Sequence, residues 1–138
     1  MSASANKALL HNLFAELERG NSRPFVDAMA DDFRWVIAGS SCWSRTFEGK
    51  MAVLNELFPM LRATIADRVR TRATAFIAEA DKVVVQARGH NTTRAGVPYE
   101  NSYCMIYTVR DGKLVEVVEY MDTDLAIKAL GDPAALAA

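Results

Sequence analysis

A carboxylate placed at the end of a strand is the chemical group this sequence displays most plainly. Residues 113–121 carry the alternation of a strand, and Asp122 follows directly. Side chains on a strand point alternately to its two faces, so Val118, Tyr120 and Asp122 share one face and Val117, Glu119 and Met121 the other. If the Asp122 face walls an apolar pocket, desolvation disfavours the charged carboxylate and moves its pKa toward the range useful for proton transfer. Asp122 or Thr123 can equally cap a following helix by accepting its free backbone N–H groups. Gln86, Arg88 and His90 share one face of another strand, and an imidazole there can change charge near neutral pH. A solvated face, a dimer interface or a satisfied core histidine accounts for the same three residues. Tyr99, Asn101, Tyr103, Met105 and Tyr107 also share a face, which either lines a pocket or packs. No glycine-rich phosphate loop, zinc-ligand spacing, nucleophile elbow or flavin fingerprint occurs, so neither a metal nor a cofactor is expected.

The elements that hold these groups follow from periodicity. Residues 5–19 place Leu9, Leu10, Leu13, Phe14 and Leu17 at helical spacing, and Gly20 stops the helix. Ser22 and Pro24 open a second, short helix that Asp31-Asp32 ends. Residues 33–38 form a short strand, and residues 39–48 an irregular loop in which Trp43 is more than a connector needs. Residues 50–63 form a third helix, kinked or ended by Pro59. Strands over 68–78 and 82–90 make one long hairpin. Its row of Arg68, Arg70 and Arg72 suits a solvated strand face as well as it suits a phosphate. Strands over 99–109 and 113–121, joined by Asp111-Gly112, make a second hairpin, and residues 125–130 close the chain as a helix before Gly131-Asp-Pro133. Three helices, a run of mostly antiparallel strands and a final helix predict an α+β fold in a single domain over residues 1–138.

The chain has 138 residues, 51% of them hydrophobic, enough for one core. Its net charge of −1 gives no broad attraction for nucleic acid or an anionic membrane. No basic leader precedes an apolar segment, and no apolar run approaches a bilayer span, so a cytoplasmic location is expected. Cys42 and Cys104 are too few for a disulfide framework and are expected to be free thiols. Small molecules or protein partners are expected, and a small apolar molecule if a pocket is present.

Gly112-Lys113 followed by Glu119-Tyr120-Met121-Asp122-Thr123, with Asp31-Asp32-Phe33-Arg34-Trp35, Gly39 and Gly49-Lys50 upstream, resembles the SnoaL-like branch of the NTF2-like superfamily over nearly the whole chain. The resemblance implies a cone: a curved, mostly antiparallel sheet wrapped over three N-terminal helices with a short C-terminal helix. It also implies a homodimer. The superfamily includes isomerases, hydrolases, polyketide cyclases and inactive binding modules, so fold alone does not select a function. In several of its enzymes the aspartate matching Asp122 acts as acid, base or water activator. Members resembling limonene-epoxide hydrolase carry Arg-x-Asp where this chain has Arg88-Gly89-His90, which implies a His90 and Asp122 pair with Arg88 beside it. Ile37 stands where the hydrolase holds water with an asparagine, and roughly where ketosteroid isomerases keep their base; it can do neither. Trp35 replaces a tyrosine and can donate one hydrogen bond but accept none. Asn101 and Tyr103 match an Asn-x-Tyr of SnoaL-like members, and a phenol beside a carboxylate suits an oxyanion hole.

The expected protein is therefore a cofactor-independent acid/base enzyme of isomerase, cyclase or hydratase type, acting on a small apolar oxygenated or cyclic metabolite. Asp122 and His90 are its expected catalytic residues. Trp35, Ile37, Trp43, Arg88, Asn101, Tyr103 and Tyr120 are expected to bind substrate. The alternatives are a non-catalytic dimeric small-molecule-binding module, or an interaction dimer whose cone is filled by Trp35, Trp43 and Phe47.

Overall fold

Helix α1 (Ala3–Glu18) starts where the Ser2 hydroxyl accepts a hydrogen bond from the Ala5 N–H at 3.1 Å. It ends at Gly20, whose φ of +80° lets the Gly20 and Asn21 N–H groups turn back to the Leu17 and Glu16 carbonyls. The computed structural model describes residues 2–136. Asn6, Leu10, Leu13 and Phe14 form the buried stripe of α1, which lies across β3 (Thr71–Glu79) and β4 (Lys82–Gly89). Each buried leucine or phenylalanine contributes about 1.5–3 kcal/mol of transfer free energy. Helix α2 (Arg23–Ala28) has Pro24 in its first turn, and β1 (Met29–Ile37) follows directly. The first strand thus begins four residues before the expected Phe33, because Met29 already pairs with Leu114 ahead of an irregularity in the ladder.

After β2 (Thr46–Glu48), the expected third helix is built from α3 (Lys50–Ala52), a π-helical turn (Val53–Leu57) and α4 (Phe58–Thr64). Pro59 has no N–H to return to Asn55. The turn before it widens to π spacing, and the helix continues without a break. The expected strand over 99–109 is also divided. Pro98–Tyr99 (β6) pairs with Asn91–Thr92 (β5) as a small ribbon, and β7 (Ser102–Arg110) starts beyond Asn101. β8 (Lys113–Met121), α5 (Thr123–Leu130) and a 3₁₀ turn (Pro133–Leu136) complete the described chain.

The main sheet has six strands in the order β2-β1-β8-β7-β4-β3, all antiparallel except the β1–β8 pair. This is the α+β arrangement expected. Its inner face supplies Phe33, Val83, Val85, Met105, Tyr107, Leu114 and Val117 to the core, facing the helices. Its outer face carries a register-matched apolar row across five strands: Ile77, Val84, Ile106, Val118 and Val36. Beside that row runs a charged one, in which Arg34 pairs with Glu48 at 2.8 Å and Glu116 at 2.9 Å. Among the described residues no helix is long and apolar enough to cross a membrane. Cys42 and Cys104 are free thiols.

Candidate functional site

The hairpin between β7 and β8 decides what faces the interior. Asp111 and Gly112 both have positive φ, 51° and 74°, the backbone of a tight type I′ turn. The turn pairs Arg110 with Lys113 and Val109 with Leu114. The next pair is Thr108 with Glu116, so Val115 is an extra, unpaired residue, a β-bulge. Beyond the bulge Tyr107 meets Val117, Met105 meets Glu119 and Tyr103 meets Met121. Had the ladder continued without the bulge, Met105 would stand opposite Val118 and Tyr120 would share the inner face. The bulge instead turns Val117, Glu119 and Met121 inward.

Between this inner face and the helices lies a cavity of about 470 Å³. The sheet contributes Trp35, Ile37, Tyr103, Met105, Tyr107, Glu119 and Met121 to its wall, and Tyr99 joins them from β6. Phe25, Val26, Leu57, Phe58 and Leu61 form the opposite wall, and Trp43, Ala126 and Leu130 close one end. Trp43 is fixed there by its indole N–H, which donates to the Gly131 carbonyl at 2.7 Å. Trp35 packs edge-on or tilted against Phe25, Phe33 and Phe58, with ring centroids 6.1–6.2 Å apart.

Glu119 is the ionisable group of this wall. It is 7% exposed and has Ile37 beside it on β1 and Met105 beside it on β7, so no in-register neighbour replaces the water its carboxylate loses. Burial raises its pKa to about 7, partly opposed by the Trp35 indole. The Trp35 N–H approaches Glu119 without well-formed hydrogen-bond geometry and has no other acceptor, which leaves a buried donor free. Burial also raises the phenol pKa of Tyr103 and Tyr107 well above the ordinary value, and the nearby Glu119 charge adds to the effect. Tyr99 is raised by burial as well, opposed by its hydrogen bonds to Tyr103 and Asn101. The hydroxyls of Tyr103 and Tyr99 stand 3.5 Å apart, and Asn101 Nδ2 donates to Tyr99 Oη at 3.0 Å. All three phenols stay protonated at neutral pH and can donate, next to a carboxyl group that exists in both forms.

The residues singled out in the sequence separate into two groups. Trp35, Ile37, Trp43 and Tyr103 lie on the cavity wall. Asp122, His90, Arg88 and Tyr120 do not. Asp122 is exposed and caps α5, its Oδ1 accepting from the Leu125 N–H at 3.1 Å, which is the capping alternative. His90 is exposed and sits 3.5 Å from Glu100; among the described residues no ion pair or hydrogen bond joins it to Asp122. Arg88 and Tyr120 project from the outer face, since Ala87, Gly89, Glu119 and Met121 take the inward positions. Asn101 is fully buried as a clamp: it donates to the Asp122 carbonyl at 3.0 Å and accepts from the Asp122 and Ser102 N–H groups at 3.1 and 2.8 Å. The expected His90 and Asp122 pair does not form among the described residues, and the buried acid on the cavity wall is Glu119. Its signal in the sequence was an acid placed between Val117 and Met121 on an otherwise apolar alternation.

Residues 10–117 match the family model of the SnoaL-like domain. No curated protein matches the chain. Among solved structures, an NTF2-like protein from Burkholderia xenovorans LB400 is 24% identical with a TM-score of 0.71, covering 94% of this chain and 98% of that one. An NTF2-like protein of unknown function from Burkholderia pseudomallei K96243 is 20% identical with a TM-score of 0.78, over 94% and 98% of the two chains. A candidate SnoaL-like polyketide cyclase from Jannaschia sp. CCS1 is 18% identical with a TM-score of 0.75, over 94% and 93%. At these identities the structural likeness establishes the fold.

Two stability measurements check the assignments. Glu119 is protonated in folded and unfolded chains below its ordinary value of 4.5, whereas between 4.5 and about 7 the unfolded chain loses its proton first. Stability from this group is therefore full at low pH and lost as pH rises through that window. Relative to Glu119→Gln, the wild type should lose about 3 kcal/mol of unfolding free energy between those pH values, measured by urea titration. For the cap, Asp122→Asn should leave stability within a few tenths of a kcal/mol and Asp122→Ala should cost about 0.5–2 kcal/mol. Asn101→Ala should cost more than either, because it orphans the backbone groups of Asp122.

Proposed function

Because the chain belongs to the SnoaL-like domain family, we propose that it is an acid/base enzyme in which Glu119 moves a proton on a small apolar, carbonyl-bearing molecule held in the cavity. The observation that carries this reading is a carboxyl group titrating near neutral pH on an apolar cavity wall, ringed by phenols. In this reading the Glu119 carboxylate removes a proton from the carbon next to the substrate carbonyl, and the electron pair moves onto the carbonyl oxygen. The Tyr103 hydroxyl, oriented through Tyr99 and Asn101, donates to that oxygen as its charge develops. The unpartnered Trp35 N–H supplies a second donor. The protonated Glu119 then returns its proton at a different carbon, giving an isomer. Alternatively the enolate carbon attacks a second carbonyl of the same molecule, forming a ring bond, and the new alkoxide takes the proton. The side chains carry every step of either course. Trp35, Ile37, Trp43 and Phe58 shape the space around the substrate.

A second reading, a non-catalytic binding module, draws support from one feature. Glu119 has no second titratable acid or histidine beside it on the cavity wall among the described residues; Asp67 lies at the mouth. We further propose a homodimer formed through the outer sheet face, where the row of Ile77, Val84, Ile106, Val118 and Val36 offers a self-complementary apolar stripe next to charged neighbours.

A thermal-shift screen of cyclic ketones and aromatic polyketide fragments should yield ligands that raise the melting temperature. For the same compounds, Glu119→Gln should retain the shift but lose turnover by about 10²–10⁴-fold, and the wild-type rate should rise through an inflection near pH 7. Ligand binding without turnover in the wild type would select the binding module. Sedimentation should give a dimer that Ile106→Lys converts to monomer; a monomeric wild type at micromolar concentration would remove the outer-face interface.

A further inference from the structure

The mouth of the cavity differs in charge from its depth. Glu119 and the phenols are buried, whereas the exposed lining residues include Arg23, Arg62, Asp67 and Arg68. Asp67 pairs with Arg70 at 2.8 Å and is held below its ordinary pKa by that pairing and also by the Arg68 backbone N–H and charge, and Arg23 lies 3.7 Å from Asp27. Arg62 and Arg68 take part in no ion pair among the described residues. The Arg62 carbonyl accepts from Arg94 Nε at 2.9 Å, and Arg68 is packed so tightly on Gly20 that a Cβ added there would lie 3.1 Å from Arg68 Cβ.

We infer that the molecule this cavity accepts is amphiphilic, with an apolar body directed at Glu119 and a carboxylate received at the mouth by Arg62 and Arg68. This inference rests on the reading of the cavity as a substrate site and adds a substrate class to it. A guanidinium outside any close ion pair can receive a carboxylate, which it binds through two parallel N–H donors. Orientation follows from the opposite poles. An anionic group near Glu119 would meet a desolvated carboxylate and be repelled, whereas at the mouth it meets unpaired positive charge. The mouth arginines are not among the groups that move the pKa of Glu119, so the two poles act separately. A cavity of about 470 Å³ accommodates both ends of one molecule, since ligand clefts commonly measure about 300–1,000 Å³.

The test compares 2-naphthoate with its methyl ester, which share the apolar body and differ in charge, by isothermal calorimetry at pH 8 and low salt. The wild type should bind the carboxylate about tenfold more tightly than the ester, and added salt should narrow the difference. Arg62→Gln/Arg68→Gln should bind both equally while keeping wild-type affinity for the ester. Glu119→Gln should keep the preference for the carboxylate. Equal binding of the two probes by the wild type, or a preference that survives in the arginine double variant, would overturn the inference and leave the cavity reading intact. Failure of both probes to bind the wild type would overturn the two together.

Discussion

One unpaired residue, Val115, governs which side chains of the last strand meet the interior. A strand has only two faces, so an insertion of one residue exchanges them completely from that point onward. The type I′ turn at Asp111-Gly112 sets the register, and the bulge resets it before the strand reaches the cavity. Everything chemical about the site depends on this reset. It places Val117 in the core, Glu119 and Met121 on the cavity wall, and Val118 and Tyr120 on the opposite surface.

The setting of Glu119 then follows from its neighbours across the sheet. Ile37 and Met105 flank it in register, so neither neighbouring strand offers it a polar partner at that level. A buried carboxyl group without strong partners destabilises the folded chain when it ionises, and a core optimised for stability alone would place a leucine here. The phenols around it share the same apolar environment, and each is kept in its donor form by the burial that disfavours the carboxylate. The raised pKa values of Glu119 and of the three phenols thus arise from a single physical cause, the exclusion of water by the aromatic walls around Trp35 and Phe58.

Much of the fold could be read directly from residue pattern. The amphipathic stripe of α1, the turn at Asp111-Gly112 and the alternation of residues 113–121 each act locally, and each specifies its element without reference to distant parts of the chain. The aromatic residues Trp35, Trp43 and Tyr103 were likewise recognisable as cavity candidates, because large side chains in a strand or loop must find cover. The inward facing of Glu119 is not legible locally because it depends on a bulge, and Val115 looks like any other strand residue until the partner strand is present. Asp122 drew attention by its position at a strand end, and that position is also where a helix needs a cap. His90 stood in a polar row, and the row lies on the outer face of the sheet, away from the cavity. For Glu119 the missing information was long-range pairing rather than residue chemistry.

The parallel pairing of β1 with β8 has a kinetic meaning. Arg34 and Glu116, joined across that seam, are 82 residues apart in the chain. That seam of the sheet therefore closes only after a strand 82 residues further along the chain has been made, and the ordering of a long intervening segment precedes any gain from the contact. Until β8 arrives, β1 presents Phe33, Trp35 and Ile37 to water along an unpaired edge. Folding of this protein thus leaves β1 without one of its two strand neighbours until β8 is in place, and the strand that covers this aggregation-prone edge is the one that brings Glu119.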